Sequence, residues 1–209
     1  MPTANVYIDG FNLYYGCLKD TPYRWLDLGA FANLLLPASH TIGRIRYFTA
    51  RVSARSHDLG APRRQQVYLR ALATVPSLSV VFCHFLSSTV MMPLAAPPVS
   101  GPRFVRVIKS EEKGSDVNLA SHLLADAFTK DCDAVFVISN DSDLLEPIRI
   151  ARRRLGIAVG LASPHGRPTR VLADEVDFIR PIWPRTLERS QFPSTLIDAK
   201  GVFSKPAGW

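Results

Sequence analysis

The sequence predicts an α/β fold with a central, mostly parallel sheet, and three observations support that expectation. Short apolar runs rich in β-branched residues alternate with amphipathic segments of helical period along most of the chain. The run Ala134-Val135-Phe136-Val137-Ile138 is continuously apolar, as a strand covered by helices on both faces must be. Acidic residues fall where strands hand over to helices: Asp9, Asp116, Asp141 and Asp143 each close a strand or open a helix. In open α/β sheets the carboxyl ends of the strands border the ligand crevice.

Taken in order, residues 5–9 form the first strand, ending in Asp9-Gly10-Phe11-Asn12, where Gly10 permits a sharp turn. A helix over residues 26–36 stops at Pro37. Residues 44–50 read as the second strand, with Ile45, Tyr47 and Thr49 alternating. Pro62 suits the first turn of a helix reaching Ala73, and residues 78–85 form the third strand.

The segment 87–101 holds Met91, Met92, Pro93, Pro97, Pro98 and Gly101, too many breakers for a helix or a central strand. Residues 103–109 then read as a strand. The pair is expected to make a protruding hairpin beside the site, with a surface loop of no binding role as the alternative. A helix over 116–129 places Val117, Ala120, Leu123, Leu124, Ala127 and Phe128 on one face. Strands at 133–139 and 157–162 flank a helix at 142–155, and 176–179 forms a short last strand. The expected division is a domain over 1–183 and a tail over 184–209. The tail keeps Leu187, Phe192, Leu196, Ile197, Val202 and Phe203, so it is expected to pack on the domain or on a partner subunit.

Composition fits one domain: 209 residues, 47% hydrophobic, can bury a full core. No apolar run approaches the ~18 residues of a membrane span, so no membrane partner is expected. The N-terminus enters a strand directly, without the basic and apolar regions of a signal peptide. Cys17, Cys83 and Cys132 are odd in number and widely spaced, which indicates reduced thiols and a cytoplasmic protein, not a disulfide framework or a zinc site. The five histidines are equally scattered, and His84 and His122 read as structural.

Hard divalent cations such as Mg²⁺ take oxygen ligands, and convergent carboxylates are what such a site needs. The local alternative treats each acid as a helix cap or first-turn residue; Asn140 would cap a helix with Asp143 in its first turn. Charge adds a second signal. The net +7 must be carried away from the acidic centre. Arg44, Arg46, Arg51, Arg55, Arg63, Arg64 and Arg70 face a single acid, Asp58, in their stretch, and Arg149, Arg152, Arg153 and Arg154 form a second group. Arginine forks match phosphate oxygens, so a basic surround with an acidic centre favours a nucleic-acid substrate. A solvated basic surface is the alternative.

Three stretches carry a family resemblance: Val6-Tyr7-Ile8-Asp9-Gly10-Phe11-Asn12, Lys113-Gly114-Ser115-Asp116-Val117, and Ile138-Ser139-Asn140-Asp141-Ser142-Asp143-Leu144. They resemble, in order and placement over residues 4–182, the signature motifs of the NYN domain, LabA-like group, of the PIN-like nuclease superfamily. The resemblance implies a Rossmann-like, PIN-type three-layer sandwich and a Mg²⁺- or Mn²⁺-dependent nuclease acting mainly on RNA. It matches Asp9, Asp116, Asp141 and Asp143 to the family's acidic residues and Asn12 to its polar partner. Ser115 and Asn140 depart from the commoner family residues, and neither departure removes a carboxylate.

The expected chemistry is phosphodiester hydrolysis. Asp9, Asp116, Asp141 and Asp143 hold one or two ions; Asn12 and Lys113 orient the phosphate; Arg51, Arg55, Arg63 and Arg64 hold the flanking backbone. Glu112 is a further candidate ligand in competition with Glu111. A haloacid-dehalogenase-type phosphatase is excluded because Phe11, not an acid, lies two residues after Asp9. A receiver domain is excluded by the lack of an acidic pair there, and a dinucleotide site by the lack of Gly-x-Gly-x-x-Gly. The rival from another class is a PIN-like module that binds RNA or protein without cutting. A homo-oligomer is left open.

Overall fold

β1 (Thr3–Asp9) is buried along nearly its whole length and divides two cores by strict alternation. The computed structural model describes residues 1–54, 58–207 and 209. The other strands are β2 (Thr41–Ala50), β3 (Leu78–Pro93), β4 (Phe104–Lys113), β5 (Ala134–Ile138), β6 (Ala158–Ala162) and β7 (Phe178–Ile179). They form one sheet in the order β4-β3-β2-β1-β5-β6-β7, parallel throughout except for the antiparallel β3–β4 pair. The chain winds outward from β1 through β2 and β3, then resumes on the other side of β1 with β5. That reversal is the topological switch point of a doubly wound sheet, where a crevice opens at the carboxyl ends.

Three layers result. On one face Ala4, Val6 and Ile8 join Ala134, Phe136 and Ile138 beneath α2 (Leu28–Leu35) and α3 (Ala61–Leu72), with Phe31, Tyr68 and Leu72 buried there. On the other, Tyr7, Val135, Val137 and Val159 meet Leu119 and Leu123 of α4 (Ser115–Phe128) and Ile148 of α5 (Leu145–Arg149). Short helices α1 (Gly10–Leu13), α6 (Arg170–Ala173) and α7 (Pro184–Arg189) complete the set, none of which the hydrophobic pattern had announced.

Three expectations need correction. The third strand does not end at residue 85: β3 runs sixteen residues and pairs with β4 from His84–Lys113 to Pro93–Phe104, forming the expected protruding hairpin. The breakers are tolerated because this ribbon stands beyond the sheet, and Pro93 closes the strand. The apolar face of α4 is rotated from the expected one: Val117 and Phe128 are 68% and 75% exposed, whereas Leu119, Leu123, Asp126 and Ala127 are buried. Asp126 sits on the core face because Tyr7 Oη donates to it at 2.7 Å and Arg46 clasps it at 2.8 and 3.0 Å, an arrangement hydropathy cannot signal. The helix expected over 142–155 is a 3₁₀ turn (Ser142–Leu144), α5 and a π turn (Ile150–Arg154) in series. Pro147 near the start of α5 has no N–H to donate.

The chain beyond residue 183 lies against the α2–α3 face. Leu187, Phe192 and Phe203 are buried in that core, and the Trp25 indole donates to the Pro193 carbonyl at 2.8 Å. β8 (Thr195–Asp198) and β9 (Gly201–Ser204) form a hairpin that Arg70 ties to α3, bonding Asp198 at 2.6 and 2.7 Å and lying over the Phe203 ring. Phe192→Ala empties a buried site beside Trp25, so it should lower the unfolding free energy by about 3 kcal/mol in urea titration. An unchanged midpoint would mean that this segment adds nothing to the core.

Candidate active site at the carboxyl edge

The parallel pairing of β1 with β5 sets the centre of the site. Ile8 lies opposite Ile138, so Asp9 and Ser139 leave the sheet side by side. Ser139 Oγ donates to one Asp9 oxygen at 3.0 Å, and the Asn12 N–H donates to the other at 3.0 Å, capping α1. Asp9 is 5% exposed. Burial raises its pKa, and the charges of Asp141 and Glu112 add to the rise while the two hydrogen bonds oppose it. Gly10 is required at the turn: a Cβ there would lie 2.6 Å from the Phe48 carbonyl oxygen and 2.8 Å from the Tyr47 ring.

Asn12 straps the strand ends together. Its Oδ1 accepts the Asn140 N–H at 3.0 Å, and Asn140 Oδ1 in turn accepts the Thr169 N–H at 2.8 Å. Asp141 donates its own N–H to Ser139 Oγ at 3.1 Å and accepts the Asp143 N–H at 2.9 Å. The local capping role of Asp141 is therefore real, and it leaves one carboxylate oxygen free of that bond.

The β3–β4 hairpin supplies the rest. β4 returns the chain to the carboxyl edge, Gly114 turns it with φ +96°, and α4 starts there with Asp116 in its first turn. Glu112 accepts the Ser115 N–H at 3.1 Å, and Cys83 accepts from Ser115 Oγ and Asn118 Nδ2. These contacts seat the helix start beside β3.

Asp9, Asp116, Asp141 and Glu112 line one cleft of about 260 Å³, with Asn12, Phe11, Tyr15 and His165 completing its wall. Partial burial pushes the Asp116 carboxyl up to about 6, reinforced by the charges of Asp141, Asp9, Glu112 and Asp143. Among the described residues no three histidine, cysteine or carboxylate side chains stand close enough together to hold one ion. The carboxylates thus share a cleft and a field, but they are not drawn in to ligand spacing. Their all-oxygen donor set, and a mutual repulsion that a cation would relieve, suit a hard divalent ion.

Asp143 is exposed and outside the cleft lining, although Asp116 feels its charge. Lys113 is exposed and pairs with Glu111 at 3.2 Å, away from the lining. The register resolves the choice between the two glutamates: Glu111 pairs with Lys109 at 2.6 Å, and Glu112 faces the cleft. Strand alternation held that signal once residues 103–113 were read as strand. His165, in the loop after β6, carried no sequence signal, because only sheet order brings β6 next to β5.

Most of the arginines prove structural. Arg44 binds Asp131 and Arg46 binds Asp126. Arg149 and Arg153 share Glu175, and Arg152 binds Asp177, so this second group is largely an ion-pair network. Arg70 holds the tail hairpin. Arg51 lies over the Phe82 ring at 4.5 Å, Arg64 pairs with Asp58, and Arg63 is exposed on α3. Arg55 lies outside the described residues.

The NYN domain family model matches residues 3–182. The chain belongs to the NYN domain family. That family is a branch of the PIN-like nuclease superfamily. This NYN protein is also 30% identical over 237 aligned positions to 6-hydroxy-3-succinoylpyridine 3-monooxygenase HspA of Pseudomonas putida, covering 99% of this chain and 75% of that protein. In three dimensions it resembles a protein of unknown function from Vibrio parahaemolyticus. The TM-score is 0.56 at 16% identity, over 88% of this chain and 94% of the other, a likeness of fold.

The raised Asp116 pKa has a consequence for stability. Its folded value, about 6, lies above the ordinary 3.8, so the folded state holds the proton more tightly and this residue's contribution falls as pH rises from about 4 through 6. In EDTA, Asp116→Asn should therefore gain stability over the parent above pH 6 and lose that gain near pH 4, read as the difference in urea midpoints. A difference that does not vary with pH would mean that neither burial nor the neighbouring charges raise the Asp116 pKa.

Proposed function

We propose that this NYN domain is a metal-dependent nuclease that hydrolyses phosphodiester bonds in single-stranded RNA. The supporting observation is the cluster of Asp9, Asp116, Asp141 and Glu112 in one cleft at the switch point, where burial, reinforced by the neighbouring carboxylate charges, raises Asp116 to about 6. Family membership points the same way.

Asp9, Asp116 and Asp141 would hold Mg²⁺ or Mn²⁺, with Glu112 beside them and Asp143 adding field from outside. A bound ion of this kind supplies an activated water and stabilises charge building on the phosphate. The chain's own residues do the rest. Ser139 and the Asn12 N–H fix the Asp9 carboxylate in one orientation. The Asn12–Asn140–Thr169 strap keeps three strand-end loops in register, so the carboxylates approach the substrate as a set. Arg51, past the end of β2, and Arg63, on the first turn of α3, would meet the flanking phosphates, whereas Arg64 is engaged by Asp58.

Two other readings compete. A PIN-like module that binds RNA without cutting would gain nothing from buried negative charge in its cleft. The likeness to a monooxygenase acting on a hydroxylated pyridine supports a small-molecule reaction in the same cleft. Both are decided by assay of the purified protein with RNA and, separately, with a hydroxypyridine acid and reductant.

Asp141→Asn preserves the cap, since Asn and Asp cap about equally well, but removes the charge. Cleavage of single-stranded RNA in Mn²⁺ should drop by more than about 100-fold, the upper end for disturbing even a ligand's supporting partner. Thermal unfolding should be unchanged or slightly raised. Parent-like cleavage would remove Asp141 from the mechanism, and a parent protein that binds RNA but cuts none in any metal would leave the binding module. Arg63→Ala should flatten the log–log salt dependence of RNA binding by about 0.7, one phosphate on a single strand. An identical slope would place the backbone contacts elsewhere.

A further inference from the structure

Phe11 and Tyr15 have the acidic cleft on one side and a second, larger cavity of about 650 Å³ on the other, and they line both. Their rings stack with centroids 6.5 Å apart and an interplanar angle of 23°. Phe85 of the hairpin meets Phe11 edge-on at 5.3 Å. Tyr14, Tyr47, Tyr68 and Trp209 extend the aromatic wall. The volume suits a nucleotide-sized ligand, and the proposed hydrolysis makes no use of it.

Its polar groups narrow the ligand further. Lys19 stands 5.6 Å over the Tyr15 ring, and Arg64 lines the wall with Asp58 on its terminal nitrogen. Asp20 and Asp58 offset most of the positive charge of Lys19, Arg24 and Arg64. A near-balanced, aromatic-walled cavity favours a neutral planar ring with acceptor atoms over a phosphate, and every nucleobase offers a face to stack.

We propose that this cavity is the subsite for a nucleobase of single-stranded nucleic acid, seated next to the phosphate held in the acidic cleft. The inference rests on the nuclease reading for its substrate but not for its test. Tyr15 is 56% exposed, so truncating it leaves the core intact. Ser53, at the cavity and outside the lining of the acidic cleft, offers a second variant that fills the space.

The experiment uses the full chain in EDTA with five-nucleotide single-stranded RNAs carrying 2-aminopurine or an abasic nucleotide at each position in turn. Fluorescence should be quenched at one position, and an abasic nucleotide there should weaken binding about 5- to 100-fold. Tyr15→Ala and Ser53→Trp should each show a similar loss, and the abasic substitution should cost these variants little more. Equal affinity for abasic and intact strands at every position would overturn the proposal. So would saturable binding of a pyridine carboxylate that no oligonucleotide displaces. Abasic-insensitive binding with intact cleavage in Mn²⁺ sinks the cavity and spares the nuclease. Position-specific quenching with no cleavage in any metal sinks the nuclease and upholds the cavity.

Discussion

The Asp9 carboxylate is nearly excluded from water at the point where two parallel strands part, and the organisation of the carboxyl edge follows from keeping it satisfied. A buried carboxylate is expensive unless donors reach it. Here both donors come from fixed places: the hydroxyl of Ser139 on the neighbouring strand end and the backbone N–H of Asn12 one turn into α1. Because Ser139 Oγ also accepts from Asp141, the same hydroxyl links the two acidic motifs. Gly10, with no room for a side chain, makes the turn that brings Asn12 round. Loss of β1–β5 adjacency would remove the Ser139–Asp9 bond and with it the link between the two acidic motifs.

The β3–β4 hairpin contributes by routing as much as by contact. A parallel strand must be left at the carboxyl edge and the next begun at the amino edge. The ten-pair ribbon goes out and returns to the carboxyl edge before α4 begins, so the helix that crosses back starts beside Asp9. Without that return, Glu112 and Asp116 would not border the cleft. The far end of α4 is anchored by Asp126 between Arg46 and Tyr7. Burial alone would raise the Asp126 pKa, but the Arg46 and Tyr7 hydrogen bonds outweigh it and hold the carboxyl below its ordinary value.

Electrostatically the molecule is divided. Much of its arginine excess is consumed in ion pairs that fasten α4, α5, the loop before β7 and the tail hairpin. The net charge therefore overstates the surface available to a polyanion. Near the cleft, Arg63 is the exposed cation of the α3 pair, beside a cavity whose own charges almost cancel.

Local signals in the chain were enough for the fold class and for the position of the acids. Val135 and Val137 had to face one core and Phe136 and Ile138 the other, because a strand's side chains alternate and every one of these is apolar. Asp9, Asp116 and Asp141 stood at element boundaries that propensity and turn residues mark. Side-chain partners across the sheet were not legible. Whether Arg46 meets a phosphate or Asp126, or Glu112 rather than Glu111 faces the cleft, depends on strand order and register over separations of tens of residues. The π turns, the buried Asp126 and the approach of His165 belong to the same class. Hydropathy and spacing record what each residue prefers locally; only the packed sheet decides which charges become neighbours, because Coulomb interactions and hydrogen bonds act across space and not along the chain.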